Sequence, residues 1–280
     1  MSDQTSNEAR FYRFHHGKII GPASEGDLQK CQPTDHINSE HSHRVGALII
    51  HGYTSTPFSM QPLAKRLQPK LYRTKNMLIA GHFTTPEVFG QYTWQSWYDS
   101  VVDAYQQLQQ DCDKVIIIGQ SLGGILALLL AANIAPQSQL ILLAPAVYLP
   151  RALYLSPYLV PLFKALRIHY LPAIAGDHSR KDWYEITFKK IPITAHRELH
   201  RIAKATKRKL PEIHNPTLIF GSTHDHAIST KNIKKTYDKL ASRDKELIWL
   251  ENSYHLISFD NDFEKVACKI EKKVDEVITS

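Results

Sequence analysis

Short runs of continuous apolar residues punctuate the chain: Val45–Ile50 shortly before Gly52, residues 115–118 before Gly119, Leu140–Leu143, and residues 217–220 before Gly221. Runs this short, mostly rich in β-branched residues and closed by glycine, predict strands buried on both faces, as parallel strands are. Weaker runs at residues 77–80 and 247–250 predict two more. Between these runs the apolar spacing becomes helical. Trp94, Trp97, Tyr98, Val101, Val102, Tyr105 and Leu108 make one stripe on a helix of about four turns. The longest apolar stretch, residues 125–132, reads as a buried helix because it falls well short of the ~20 residues that span a bilayer. Strand and helix alternate, which implies crossover connections and an α/β fold with a mainly parallel central sheet flanked by helices.

The alternation divides the chain. Residues 44–145 and 211–280 carry the core pattern. Residues 146–210 break it with Pro150, Pro157, Pro161, Pro172 and Pro192, and read as a small cap insertion over the C-terminal edge of the sheet. Residues 1–43 form an N-terminal extension, with a hairpin expected around His16-Gly17.

Candidate chemistry collects at the ends of the expected strands. Gly119-Gln120-Ser121-Leu122-Gly123 follows one strand and opens a helix, and a tight strand-to-helix turn of this kind projects its serine hydroxyl beside free backbone N–H groups. A serine needs a base, and the base needs an orienting acid. Asp225 follows the strand at residues 217–220, and His255 follows the last strand candidate, so the chain order is Ser121, Asp225, His255. An oxyanion hole requires two backbone donors. Leu122 supplies one, and Tyr53, after His51-Gly52, the other.

These segments, with residues 51–57, Gly81-His82, Gly124 and Ser253-Tyr254-His255, together resemble α/β-hydrolases of the bacterial carboxylesterase and monoacylglycerol lipase group over about residues 44 to 275. The resemblance implies a serine ester hydrolase working through an acyl-enzyme and needing no cofactor. It gives Ser121, Asp225 and His255 the catalytic roles, and the N–H groups of Tyr53 and Leu122 the oxyanion. This group commonly has Gly-His-Gly where the chain has Gly81-His82-Phe83, so Phe83 is expected to narrow the pocket mouth. Within the insertion, Tyr148, Leu153, Tyr154 and Tyr158 are expected to line an acyl pocket, although the same residues would serve to pack the insertion onto the sheet. The two features together predict a preference for short to medium acyl chains.

Composition and charge narrow the remaining choices. The formal net charge is +7, and no nucleic-acid motif accompanies it, so a small-molecule ester and no nucleic acid is the expected partner, with at most weak contact to a membrane surface. The basic run at residues 201–209 reads as a solvated helix face. Cys31, Cys112 and Cys268 match neither a disulfide framework nor a zinc set, and the polar N-terminus has no signal-like core, so a cytoplasmic location is expected. The histidine pairs at 41/43 and 224/226 lack further ligands at fixed spacing, so no metal is expected. Two rivals stay open: an acyltransferase or thioesterase using the same triad, and a catalytically silent scaffold that binds a small apolar ligand. Oligomeric state is left open.

Overall fold

The computed structural model describes residues 10–151, 153 and 156–280. Strands β1 (Tyr12–His15) and β2 (Lys18–Pro22) form an antiparallel hairpin. Its turn residues His16 and Gly17 both have positive φ, 47° and 71°, the geometry that matches the twist of a two-residue hairpin. The main sheet uses β3 (Thr34–Ile37), β4 (Val45–Ile50), β5 (Arg73–Met77), β6 (Lys114–Gln120) and β7 (Leu140–Leu143). Three short strands follow, β8 (Tyr170–Pro172), β9 (Glu185–Thr187) and β10 (Lys190–Pro192). The sheet is completed by β11 (Thr217–Ser222) and β12 (Lys245–Leu250), in the order β12-β11-β7-β6-β4-β5-β3. Only the β3–β5 pairing in it is antiparallel. This is the α/β-hydrolase arrangement expected from the alternation of strand and helix.

Every residue of β4, β7 and β11 is buried, as the continuous apolar runs require. The helix Leu122–Asn133 is apolar all round and buried from Leu122 to Ala131. The helix Trp94–Gln109 starts at Thr93, whose side chain accepts the Ser96 N–H, and buries Trp97, Val101, Tyr105 and Leu108. One strand lies earlier than its apolar run suggested. The expected strand at residues 77–80 is Arg73–Met77, where Thr74 and Asn76 are buried while Arg73 and Lys75 reach out to Asp35 of β3 at 2.7 and 2.6 Å. Polar residues on both faces hid this strand from a search for apolar runs.

Residues 146–210 are tied to the rest of the molecule by long-range pairing. Strand β9 pairs with β1 of the hairpin, Tyr12 opposite Thr187, and the Thr187 hydroxyl donates to the Thr54 carbonyl at 2.6 Å. Strands β8 and β10 pair with each other, and the helix Ile193–Lys209 packs on the helix Leu122–Asn133. Among the described residues no helix is long and apolar enough to cross a membrane.

Candidate active site

Parallel register brings the C-terminal ends of the central strands together: Ile50 lies opposite Gly119, Gln120 opposite Leu143, and Phe220 opposite Leu143. Ser121 sits where β6 turns into its helix, with φ 55° and ψ −110°, a backbone state that non-glycine residues rarely hold. Two neighbours must be glycine for the turn to close. A Cβ on Gly119 would stand 2.2 Å from the Gly123 carbonyl oxygen, and one on Gly123 would stand 2.2 Å from that of Ile50. The G-x-S-x-G spacing is therefore a packing requirement of this corner.

From Ser121 a continuous hydrogen-bond line runs through two side chains. Ser121 Oγ lies 2.9 Å from His255 Nε2, and His255 Nδ1 lies 2.8 Å from Asp225 Oδ2. The other carboxylate oxygen of Asp225 accepts the N–H groups of Ala227 and Ile228 at 2.8 and 2.6 Å, which fixes the acid in its loop. Burial alone would push the His255 imidazole down, but the Asp225 carboxylate outweighs it, helped by Asp177 and Glu185, and holds His255 above its ordinary value. This arrangement can take a proton from Ser121 and stabilise the imidazolium that results.

Two backbone N–H groups expected to face an oxyanion lie beside Ser121. Leu122 is the first residue of its helix, so its N–H has no intrahelical acceptor. Tyr53 lines the same cleft as Ser121. Its loop is fixed by His51, whose Nε2 accepts the Ile79 N–H at 3.1 Å while Nδ1 donates to the Gly52 carbonyl at 2.9 Å. Burial pushes the His51 imidazole down to about 4, so it stays neutral and can both donate and accept.

The loop bearing His255 is gripped from several directions by residues that sequence reasoning did not single out. Gln120, beside the serine, accepts the Ser258 N–H at 3.1 Å. The Asp260 carboxylate accepts the N–H groups of Tyr254 and, from the insertion, of Ser179 and Arg180 at 2.8 to 3.0 Å. Asp177 takes the Leu256 N–H on its carbonyl at 3.0 Å and binds His226 Nδ1 at 2.7 Å through its carboxylate. Residues 177–180 thus strap the histidine loop and the acid loop together. No local motif announces this, because every bond in the strap joins segments far apart in the chain.

The cleft over Ser121 has a volume of about 320 Å³. Leu149, Leu153, Ile174, Ile191, His196 and Leu199 give it an apolar side, while Asp177, Glu185 and His226 stand among its polar lining. The substrate-side expectations divide. Leu153 lines the cleft. Tyr148 borders a neighbouring groove instead, its ring faced by the ammonium groups of Lys207 and Lys235 at 5.2 and 4.6 Å. Tyr158 is 63% exposed, and Tyr154 lies outside the described residues. Phe83 corrects the expectation of a narrowed mouth: it is absent from the cleft lining and packs on Phe11 of the N-terminal extension, ring centroids 4.6 Å apart. Phe83 sits in a turn with φ 55°.

The family model described as serine aminopeptidase S33 matches residues 41–262. The chain belongs to this family. The chain is 33% identical over 218 residues to a thermostable monoacylglycerol lipase of a Bacillus species, covering 78% of this chain and 85% of that protein. It is 24% identical over 216 residues to a carboxylesterase of Bacillus subtilis, covering 77% and 86%. Among solved structures, one from work on the metagenome-derived lipolytic enzymes LipS and LipT superposes with a TM-score of 0.81 at 27% identity, covering 88% of this chain and 98% of that one. A monoglyceride lipase of Saccharomyces cerevisiae superposes at 0.69 and 16% identity, covering 89% and 92%, a likeness of fold. The family member described here is thus an α/β-hydrolase of the lipase and esterase group.

Proposed function

We propose that the protein hydrolyses esters of short to medium acyl chains through an acyl-enzyme on Ser121. The chain is a carboxylic ester hydrolase, in keeping with its lipase and carboxylesterase relatives. The observation that carries the assignment of residues is the unbroken line Asp225–His255–Ser121 at the mouth of a largely apolar cleft. Ser121 Oγ attacks the ester carbonyl as His255 Nε2 takes its proton, and the developing oxyanion is met by the N–H groups of Tyr53 and Leu122. The alcohol leaves with the proton from His255. Water then enters, gives its proton to His255, and releases the acid. No cofactor is needed for any step.

A polyol leaving group such as glycerol suits the polar part of the lining, since Glu185 and Asp177 offer hydrogen-bond acceptors there. The similarity to a monoacylglycerol lipase supports the same choice. Burial pushes the Glu185 carboxyl up, which favours a neutral partner such as a hydroxyl over a cation. We place the enzyme in the cytoplasm, a location that the free thiols of Cys31, Cys112 and Cys268 support. The exposed side chains of Leu159, Leu162 and Leu166 support weak contact of the insertion with a membrane surface.

Two measurements test the reading. A fluorophosphonate probe is expected to label Ser121 in the native protein and not in Ser121→Ala. A kcat/KM series of monoglycerides is expected to rise above acetyl and then fall. Absence of labelling would leave the silent scaffold, and faster acyl transfer to added alcohols than to water would leave the acyltransferase.

A further inference from the structure

Beneath the apolar side of the cleft lie buried polar atoms that the proposed mechanism does not use. His196 is 4% exposed, lines the cleft, and has no hydrogen-bond partner among the described residues for either ring nitrogen. Across from it, 5.8 Å between ring centroids, lies the Tyr53 ring. Tyr53 also lines the cleft and is partly buried, and its hydroxyl oxygen is buried and without a hydrogen-bond partner among the described residues. Behind the pair, His82 Nε2 and Trp97 Nε1 are buried and unpartnered as well, within one cluster of packed rings.

A buried polar group without a partner costs about 1–3 kcal/mol, so several in one place mark a site built to meet something. A cleft for plain alkyl chains has no use for them, since a leucine at 196 would match Leu149, Leu153 and Leu199 around it. Only the backbone N–H of Tyr53 is needed for the oxyanion, and phenylalanine would supply that equally well. Burial holds the His196 imidazole down at about 4, so it is neutral at working pH, with one nitrogen donating and the other accepting. A neutral ring does not draw a carboxylate. A carbonyl oxygen can only accept, so it could engage His196 and the Tyr53 hydroxyl only as an acceptor from both. A hydroxyl both donates and accepts, and so does the Tyr53 hydroxyl beside it.

We propose that Tyr53 and His196 form a polar subsite in the acyl side of the cleft that selects esters whose acyl chain carries a hydroxyl group. This inference rests on the ester-hydrolase reading above and deepens it by naming the acyl class. The subsite acts by hydrogen bonding alone and leaves the covalent steps at Ser121 unchanged.

The test compares ethyl octanoate with its positional hydroxyoctanoate isomers, measuring acid release by the full-length native enzyme. One isomer, or two neighbouring ones, is expected to exceed octanoate in kcat/KM by about tenfold or more, because a site built for a hydroxyl discriminates strongly against the analogue that lacks it. His196→Leu and Tyr53→Phe are each expected to bring that ratio close to unity. His196→Gln, which keeps a donor and an acceptor, is expected to retain part of it. Equal turnover of octanoate and every isomer overturns the proposal and leaves ordered water as the partner of these atoms. A preference that survives both His196→Leu and Tyr53→Phe overturns it too. Absence of any ester turnover together with absence of fluorophosphonate labelling is a different result, which overturns the ester reading itself.

Discussion

The sheet edge that carries Ser121 and the insertion that shares its cleft are held by different forces. On the sheet side, order is apolar and main-chain: β4, β7 and the first ten residues of the helix after Ser121 are buried throughout, and parallel register sets Ile50 beside Gly119. On the other side, β8, β9 and β10 are three residues each, and Tyr158, Leu166 and Ile174 stay 60 to 73% exposed. Besides the buried Ile186, Phe188 and Ile191, that side relies on polar bonds to distant segments, such as Thr187 to Thr54 and Ser179 to Asp260. Ser121 therefore stands at the edge of a buried sheet core, while Leu153, Ile174, Ile191 and Leu199 of the wall facing it come from the insertion.

Substitutions on the sheet side give the largest effects. Ser121→Ala is expected to leave a folded protein with ester turnover lowered by about 10⁴ to 10⁶-fold, since triad members act as a unit. Near-native turnover in that variant defeats the nucleophile assignment. Asp225→Asn is expected to cost about 10³ to 10⁴-fold in kcat by leaving the imidazole in the wrong tautomer. An active Asp225→Asn enzyme would mean that a different group orients His255.

The same contrast explains what the sequence made legible. Ser121 was readable because its strand, its turn and its helix are contiguous, and the glycines at 119 and 123 are forced by contacts under 3 Å. Asp225 and His255 were readable because each follows a strand end by a few residues. Asp177, Glu185 and Asp260 were not, since an isolated carboxylate carries no local pattern and their partners lie up to 81 residues away. Strand Arg73–Met77 was misplaced because its charged residues are neutralised by Asp35 on a neighbouring strand. Phe83 was misassigned because its packing against Phe11, from a segment some seventy residues earlier, is not visible in a local motif.

Breaking the tie between the two sides is expected to cost less than breaking the triad. Asp260 is 1% exposed and accepts bonds from both the insertion and the histidine loop. Asp260→Ala is expected to lower stability by about 2–4 kcal/mol in urea unfolding, because it strands several buried donors. It is expected to reduce kcat more than it raises KM, and an unchanged kcat would show that the strap does not position His255. A smaller effect follows from charge. His255 works as a base only when neutral, and the charges around it shift the acid limb of kcat/KM upward from that of a free imidazole, with activity lost as pH falls through it. Asp177→Asn removes one of the negative charges that favour the imidazolium, so the limb is expected to move to lower pH. A limb that stays in place, or moves up, contradicts that electrostatic account.

The smallest effect on activity is expected at Phe83, where the two sides of the comparison meet the N-terminal extension. Its ring packs on Phe11 and borders a groove shared with Leu28 and Gln32, separate from the cleft over Ser121. A gatekeeping ring would change the acyl-length profile when removed, and a packing ring would change stability instead. Phe83→Ala should therefore shift the urea midpoint to lower concentration by an amount matching about 1–3 kcal/mol, through lost ring contact and apolar burial. The ratio of kcat/KM between butyryl and dodecanoyl esters should stay within about twofold of the native value, a difference worth less than 0.5 kcal/mol. Leu153→Ala is the matched control, because Leu153 does line the cleft and its loss should move the profile toward longer chains. If Phe83→Ala moves the profile as far as Leu153→Ala does, the mouth of the cleft extends to the hairpin, and the N-terminal extension belongs to substrate selection as well as to packing.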